Sequence, residues 1–512
     1  MVIKIILLLA FFTLMVVVGV LCRRSATDIN GFVLGGRAVG PWLTAFAYGT
    51  SYFSAVIFVG YAGQFGWKFG MASTWIGLGN AFIGSLLAWV ILGRRTRLMT
   101  QHLRTATMPE FFEKRFQSKP LKITAAIIVF IFLIPYTASL YNGLSRLFSM
   151  AFSIDYSVCI IAMAALTAVY VIIGGYMATA VNDFIQGIIM LVGIVAVIAA
   201  VLNQHGGLMG SVAGLAAVTD PALEYGSVPG IFTSFFGPDP FNLFAVVILT
   251  SLGTWGLPQM VQKFYAIKSE KAIGKGTIIS TLFAIIVAGG CYFLGGFGRL
   301  FDVDIAAGGY DAIIPAMLEK LPDLLIAVVV ILVLSASMST LSSLVLTSSS
   351  VFTIDLIKPL SKKEINEKRQ LVIMRVLIAV FVIISAAIAL IQYKFKISSI
   401  AQLMGISWGA LAGAFLAPFL YGLYWKRTTK IACGVSFGFG VIVMVLNMVA
   451  NSIFPAFIKS PVNCGAFVML ASLVIVPVVS LLTPKPEQKS VDEMFSCYDI
   501  ETHASAKEYL GK

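Results

Sequence analysis

The sequence predicts an all-α membrane protein of about thirteen transmembrane helices, on three observations. The 512 residues are 59% hydrophobic and only 12% charged, with a mean hydropathy of +0.94. No soluble domain of this length is so apolar. Apolar runs of about 20 residues, enough to cross a bilayer as a helix, recur along nearly the whole chain. Lys and Arg gather in short clusters between those runs, as the positive-inside rule produces. The net charge of +13 is therefore a property of loops, and there is no separate basic domain for nucleic acid.

The spans fall at roughly 2–22, 41–63, 71–93, 121–150, 156–178, 181–203, 241–266, 274–299, 323–358, 370–393, 399–424, 428–452 and 461–484. The first is long for a signal peptide. It is followed by Cys22-Arg23-Arg24 and not by a small-residue cleavage site, so it reads as a retained span. One alternating set of loops is basic: Arg23 and Arg24; Arg94, Arg95, Arg97 and Arg104; Lys263, Lys268 and Lys271; Lys358, Lys362, Lys363, Lys368 and Arg369; Lys426, Arg427 and Lys430. The other set carries Asp220, Glu224, Asp239, Asp302, Asp304 and Asp311. The basic set belongs in the cytoplasm, which puts the N-terminus outside and the C-terminus inside the plasma (inner) membrane. Residues 1–484 form the transmembrane domain, and 485–512 a polar, mobile cytoplasmic tail. Residues 108–117 mix aromatics with charge and suit either a short interfacial helix or an ordinary turn.

The six cysteines are scattered without metal or disulfide spacing and read as small buried hydrophobes. His102, His205 and His503 fall in loops or the tail, so a histidine-based active site is not expected. There is no His-Glu-x-x-His and no phosphate-binding loop, which leaves no basis for an enzyme.

Two spans contain helix-breaking sequence. The second carries Tyr48-Gly49-Thr50-Ser51-Tyr52-Phe53-Ser54, and the seventh Ser251-Leu252-Gly253-Thr254-Trp255-Gly256-Leu257-Pro258. Each alone could be a simple kink. Together they open two sets of five spans, about 41–203 and 241–424. An odd number of spans per set makes the sets run oppositely through the bilayer. That is the plan of inverted repeats, with a site at the midplane where the broken helices meet.

Residues 335–350 put an unusual number of hydroxyls in an apolar span. Ser335, Ser339, Ser342, Ser343 and Ser350 stand at i, i+4, i+7, i+8 and i+15, so several share a helix face. Such a face can supply uncharged oxygen ligands to a small cation. It can equally let helices pack closely, or bond back to its own backbone. Asp183, near the start of the sixth span, costs a few kcal/mol to insert. It can bind a cation, carry a proton, or serve a helix N-terminus at the interface. Asp355 and Arg375, near span ends, are expected to snorkel toward water.

These motifs resemble the sodium:solute symporters, a family that includes sodium/proline, sodium/pantothenate and sodium/sugar transporters. The resemblance runs through Phe32-Val33-Leu34-Gly35-Gly36-Arg37, Gly174-Gly175-Tyr176, Asn182-Asp183 with Gln186-Gly187, Gly256-Leu257-Pro258, Met338-Ser339-Thr340-Leu341-Ser342-Ser343, Tyr421-Gly422-Leu423-Tyr424-Trp425 and Ser460-Pro461-Val462-Asn463. It implies an inverted-repeat fold of the leucine-transporter type with extra spans at both ends. It also implies Na⁺ as coupling ion, held by the backbone carbonyls of Thr50, Phe53 and Ala336 and the hydroxyls of Ser339 and Thr340. A second Na⁺, bound by some members, would fall at Asp183, Ser339, Ser342 and Ser343. The positions lining the solute pocket correspond to Tyr52, Ser54, Val56, Thr250, Thr254 and Gln259. Here the chain departs from the proline transporters. Tyr52 replaces their aspartate, and Thr250 and Thr254 replace their tryptophan and tyrosine. The Gly-Leu-Pro motif is closer to the pantothenate branch. With a neutral pocket, an anionic solute would rely on helix N-termini or Arg37.

The function implied is sodium-coupled import of a small organic solute, such as an amino acid, a pantothenate-like vitamin or another carboxylate, by alternating access. The alternatives are a proton-coupled carrier using Asp183 and, further off, a channel. The partners expected are the solute and the lipid bilayer, with no nucleic acid and no obligate protein partner.

Overall fold

A computed structural model describes residues 2–23, 27–361, 365–395 and 399–499. Arg24, Lys362, Lys363 and His503 lie outside the described residues. Among the described residues the regular elements are helical, apart from a single parallel bridge between Val39 and Ile267.

By length and apolarity ten helices can cross a membrane, or eleven when the bent pair Pro240–Gly256 and Pro258–Ala266 is taken as one span. The count of thirteen includes two further segments that this criterion passes over. One is Pro41–Tyr52, separated from Val56–Tyr61 by non-helical residues. The other is Tyr156–Val169, a shorter apolar stretch within a long helix that bends where Gly175 takes φ 56°, ψ −153°. That conformation suits glycine alone, and a Cβ there would lie 2.8 Å from the Phe32 ring. Gly175 thus separates the fifth span from the sixth.

Both predicted breaks form. The second span leaves the helix at Phe53, whose φ −82° and ψ 126° are extended. The seventh leaves it at Leu257 with φ −86° and ψ 120°, and resumes at Pro258 after a 47° bend. Proline at the first helical position has no N–H to leave unsatisfied, so it restarts a helix well.

The ninth and eleventh spans form the centre. Their apolar windows are 78% and 83% buried, against 22% for the first span and 39% for the tenth, twelfth and thirteenth. The outward faces carry Val192, Ile383, Val474 and Leu482, which suits contact with lipid tails. Close backbone approaches need small residues at the contacts. A Cβ on Gly66 would sit 2.1 Å from the backbone of Gly295.

Residues 108–116 form a helix, Met108–Phe116, capped by the Thr107 side chain, which accepts from the Glu110 N–H. Phe111 and Phe112 pack on Phe415, Phe419 and Phe437. The tail corrects the expectation of mobility in part. Gln488–Phe495 is helical with Val491, Met494 and Phe495 buried, Phe495 lies 5.0 Å from the Arg115 guanidinium, and Asp492 pairs with Lys426 at 2.7 Å. An amphipathic turn with three apolar residues on one face finds a surface to cover.

Asp355 does not snorkel. Asp355 is fully buried, accepts from the Thr107 hydroxyl at 2.6 Å and lies 3.5 Å from the Lys122 ammonium. Burying a carboxylate is tolerable because it is both paired and hydrogen-bonded. Arg375 places its guanidinium 5.8 Å from the Phe32 ring centroid. All six cysteines are free, and five of them are buried.

Candidate ion and solute site

The break in the second span faces the ninth span. That helix, Asp323–Val351, runs unbroken through the site and sets Ala336 and Thr340 one turn apart. The Thr340 hydroxyl lies 3.3 Å from the carbonyl of Thr50, 3.3 Å from that of Phe53 and 3.2 Å from that of Ala336. The contact with Ala336 is the ordinary back-bond of a helical threonine. The other two come from a different helix, where it unwinds. A hydroxyl has one proton and serves one acceptor at a time, so three carbonyl oxygens converge on a single donor. Beside them the Ser339 hydroxyl donates to Thr50 Oγ1 at 2.7 Å, and the Ala55 N–H donates to Ser337 Oγ at 3.1 Å. All of these residues are buried. The donor set is five oxygens, three carbonyl and two hydroxyl, with no formal charge. That chemistry fits a hard monovalent cation. Among the described residues no group of three or more His, Cys, Asp or Glu is placed to hold a metal ion.

A second cluster lies alongside. Asp183 is fully buried, with the Ser339 hydroxyl beside its carboxylate. Lys263 belongs here too, which corrects its placement among the cytoplasmic loop charges. Only 2% of it is exposed. Its ammonium donates to Ser343 Oγ at 3.0 Å and lies 3.9 Å from Asp183. Ser343 Oγ is in turn 2.9 Å from Ser51 Oγ. The hydroxyl face of the ninth span therefore divides. Ser339 and Ser343 reach other helices, whereas Ser342, Ser349 and Ser350 bond to carbonyls of their own helix.

The pocket positions are only partly brought together. Tyr52 and Thr254 line a narrow cavity with Tyr48, Asn80, Ser85, Ser280 and Phe283, closed down to about 10 Å³ in this conformation. Thr254 also donates to the carbonyl of Gly84 at 3.0 Å. Thr250 bonds to Val246 of its own helix at 2.8 Å and neighbours Tyr52. Ser54 neighbours Tyr136. Gln259 is buried with both amide atoms unpartnered, and Val56 is buried. Arg37 is corrected: its guanidinium is committed to the carbonyls of Tyr265, Thr100 and Thr105 and cannot serve a solute.

Three aromatic residues were missed. The Tyr52 ring lies 5.8 Å from Trp408, which lies 5.7 Å from Tyr136. Tyr292 neighbours Tyr52. The hydroxyls of Tyr52, Tyr136, Tyr292 and Ser54 and the indole N–H of Trp408 are buried and face one another, Tyr52 toward Tyr292 and Tyr136 toward Ser54 and Trp408. Polar groups clustered at one break in this way can meet a polar ligand. Tryptophan and tyrosine in mid-span, away from the interfacial belts, were the available signal.

Two broken helices, the first facing a buried oxygen cluster and the second packed on the eleventh span, fit the plan of a secondary transporter. The model of the sodium:solute symporter family matches residues 32–433, and the chain belongs to that family. Among curated relatives, the osmoregulated proline transporter OpuE of Bacillus subtilis (strain 168) is 29% identical over 495 residues, covering 94% of this chain and 95% of the relative. A sodium/proline symporter of Staphylococcus aureus (strain NCTC 8325 / PS 47) is 29% identical over 519 residues, covering 94% and 93%. Among solved structures, a Na⁺-coupled sialic acid symporter in a substrate-bound outward-open state superposes with a TM-score of 0.75 at 17% identity, covering 95% of this chain and 99% of that one. Mhp1, a nucleobase-cation-symport-1 transporter, in a closed conformation gives 0.51 at 13% identity, covering 91% and 98%. These superpositions establish the leucine-transporter type of fold. The chain is thus a multi-pass integral membrane protein and a sodium-coupled symporter of a small organic solute, and not an enzyme.

Proposed function

We propose that the coupling sodium binds to the carbonyls of Thr50, Phe53 and Ala336 with the hydroxyls of Ser339 and Thr340. The observation that carries this is the convergence of three carbonyls on one threonine hydroxyl across a broken helix. A cation at that place ties the second span to the ninth and fixes the break. The solute then binds between the two breaks, against Tyr52, Thr250 and Thr254, with Tyr136, Tyr292 and Trp408 completing its surroundings. One repeat, about 41–203, rocks against the other, about 241–424, and opens the site to the opposite side. With the basic loops in the cytoplasm, the N-terminus lies outside, and sodium enters down its gradient. Each inward charge contributes about 2.3 kcal/mol per 100 mV, roughly fifty-fold in accumulation.

The solute class is an amino acid, a pantothenate-like vitamin or another carboxylate. Phenol and indole donors supply hydrogen bonds, and the aromatic faces supply apolar contact. Proline is the solute named for the relatives, and this pocket presents different side chains at Tyr52, Thr250 and Thr254. The test has two arms. Purified protein is screened by thermal shift, with and without sodium, against amino acids, vitamins, sugars and monocarboxylates. The solute found is then followed into proteoliposomes. Ser339→Ala with Thr340→Ala should abolish sodium-dependent uptake, and uptake that kept its sodium dependence would sink the ligand assignment.

A further inference from the structure

Lys263 lies on the nine-residue arm Pro258–Ala266, directly after the seventh-span break. Nothing in the fold requires a lysine there. The arm is buried along its whole length, and a lysine is almost never fully buried unless paired. Its ammonium meets three things: Ser343 Oγ at 3.0 Å, Asp183 Oδ2 at 3.9 Å, and the face of Tyr176, 5.2 Å to the centroid. The surroundings, one carboxylate with serine hydroxyls, are those of a hard-cation site. Lys263 is the cation facing the Asp183 carboxylate, and the Ser339 hydroxyl beside it carries no charge.

We propose that the Lys263 ammonium is the resident cation of a second ion site, and that this chain therefore carries one sodium, not two, with each solute. This rests on the sodium ligand set proposed above only in that the single ion binds at Thr340 and not at Asp183.

Asp183 brings one negative charge, and Ser339, Ser342 and Ser343 bring none. A sodium added beside the ammonium would set two positive charges against one carboxylate in a site closed to water, where such an imbalance is heavily penalised. An ammonium and a sodium ion ask for the same oxygens, and the lysine stem keeps its ion from leaving. The tether also links spans. Lys263 on the seventh span holds Asp183 on the sixth and Ser343 on the ninth, and Ser343 contacts Ser51 on the second at 2.9 Å. A dissociable sodium would make those links only when bound. A lysine makes them in every step of the cycle for which the arm stays in place.

The test counts ions. Equilibrium binding of radioactive sodium to purified protein is measured with the ratio of sodium to solute flux in proteoliposomes. The wild type should bind one sodium and move one per solute, with a Hill coefficient near one. Lys263→Met removes the ammonium and leaves the carboxylate, so it should bind two sodium ions with a Hill coefficient rising toward two. Lys263→Arg keeps a cation and should still bind one. The double variant Lys263→Met with Asp183→Asn removes both charges and should also bind one, which keeps the proposal testable if the unpaired aspartate prevents folding. Two sodium ions in the wild type, one in Lys263→Met, or two in the double variant would overturn it. Thr340→Val separates the two proposals. If that variant bound its sodium with unchanged affinity, the Thr340 ligand set would fail, whereas the gain of an ion in Lys263→Met would stand or fall alone.

Discussion

Replacing Thr340 with valine removes one oxygen and keeps the shape. The hydroxyl faces three carbonyls at 3.2–3.3 Å, and in the proposed site it is one of five ligands. A contact between a charged group and a hydrogen-bonding oxygen contributes about 1.5–3 kcal/mol. At 1.36 kcal/mol per tenfold, sodium affinity should fall by roughly ten- to a hundred-fold or slightly more. Thr340→Ser keeps the oxygen and loses only a methyl group, so its affinity should stay within a few-fold. The assay is the sodium dependence of melting temperature, since a ligand that binds only the folded state stabilises by RT ln(1 + [L]/Kd). The valine variant should need a correspondingly higher sodium concentration for the same rise, in parallel with a higher half-saturating sodium for uptake. Half-saturation in Thr340→Val within twofold of wild type would refute the assignment. So would an equal loss in the serine variant, because the hydroxyl would then not be the group that matters.

Tyr52→Phe deletes a buried hydroxyl beside Trp408, Tyr292 and Thr250. If it bonds to the solute, the solute KM should rise roughly two- to thirteenfold, for a hydrogen bond of about 0.5–1.5 kcal/mol, while sodium binding without solute stays unchanged; an unaltered KM removes Tyr52 from the pocket. Gly66→Ala forces a Cβ to 2.1 Å from the Gly295 backbone, and overpacking of this kind costs about 1–3 kcal/mol. Its melting temperature should fall, whereas Gly274→Ala, which meets nothing within 4 Å, should leave it level or raised; equal behaviour of the two would contradict this packing. In the loop before the ninth span, burial raises the Asp311 carboxyl above its ordinary value of 3.8, against the pull of Arg146 and the Ile400 N–H. A folded pKa above the unfolded one means that the folded state holds the proton more tightly. The associated stability is present below the unfolded value and is lost as pH rises through the folded one, so Asp311→Asn should flatten that part of the stability–pH curve. An unchanged slope would show that the carboxyl is not the group titrating.

Much of the scaffold was legible because its causes are local. Gly256-Leu257-Pro258 carries its own break: a proline cannot donate to the turn before it, and the helix restarts at Pro258. The sequence around Phe53 interrupts the second span in the matching place. Asp183 stood out because an acid in an apolar run is costly anywhere. Lys263 did not, because hydropathy treats it as one more charge beside Lys268 and Lys271. Only the direction of the arm after the break distinguishes a loop lysine from one that is 2% exposed. Asp355 was misplaced for the same reason, since its partners Thr107 and Lys122 come from elsewhere in the chain. Tyr136, Tyr292 and Trp408 look like core in one dimension, and their gathering around Tyr52 exists only in three.

The hydroxyl-rich ninth span shows why the sequence left two readings open: its hydroxyls divide between their own helix and other helices. Ser342, Ser349 and Ser350 return to their own helix, as residues that ease packing would. Ser339 and Thr340 turn to a helix that has unwound, and Ser343 to a lysine. Helical spacing brings all of them near one face, and spacing alone cannot divide them. The division depends on what stands opposite. Unwound backbone presents bare carbonyls and asks for a free cation. An acid already answered by a lysine does not. On the two proposals above, adjacent serines on one helix sit beside an exchangeable ion and a covalently tethered one, and the residue facing them sets the ratio of ions to solute.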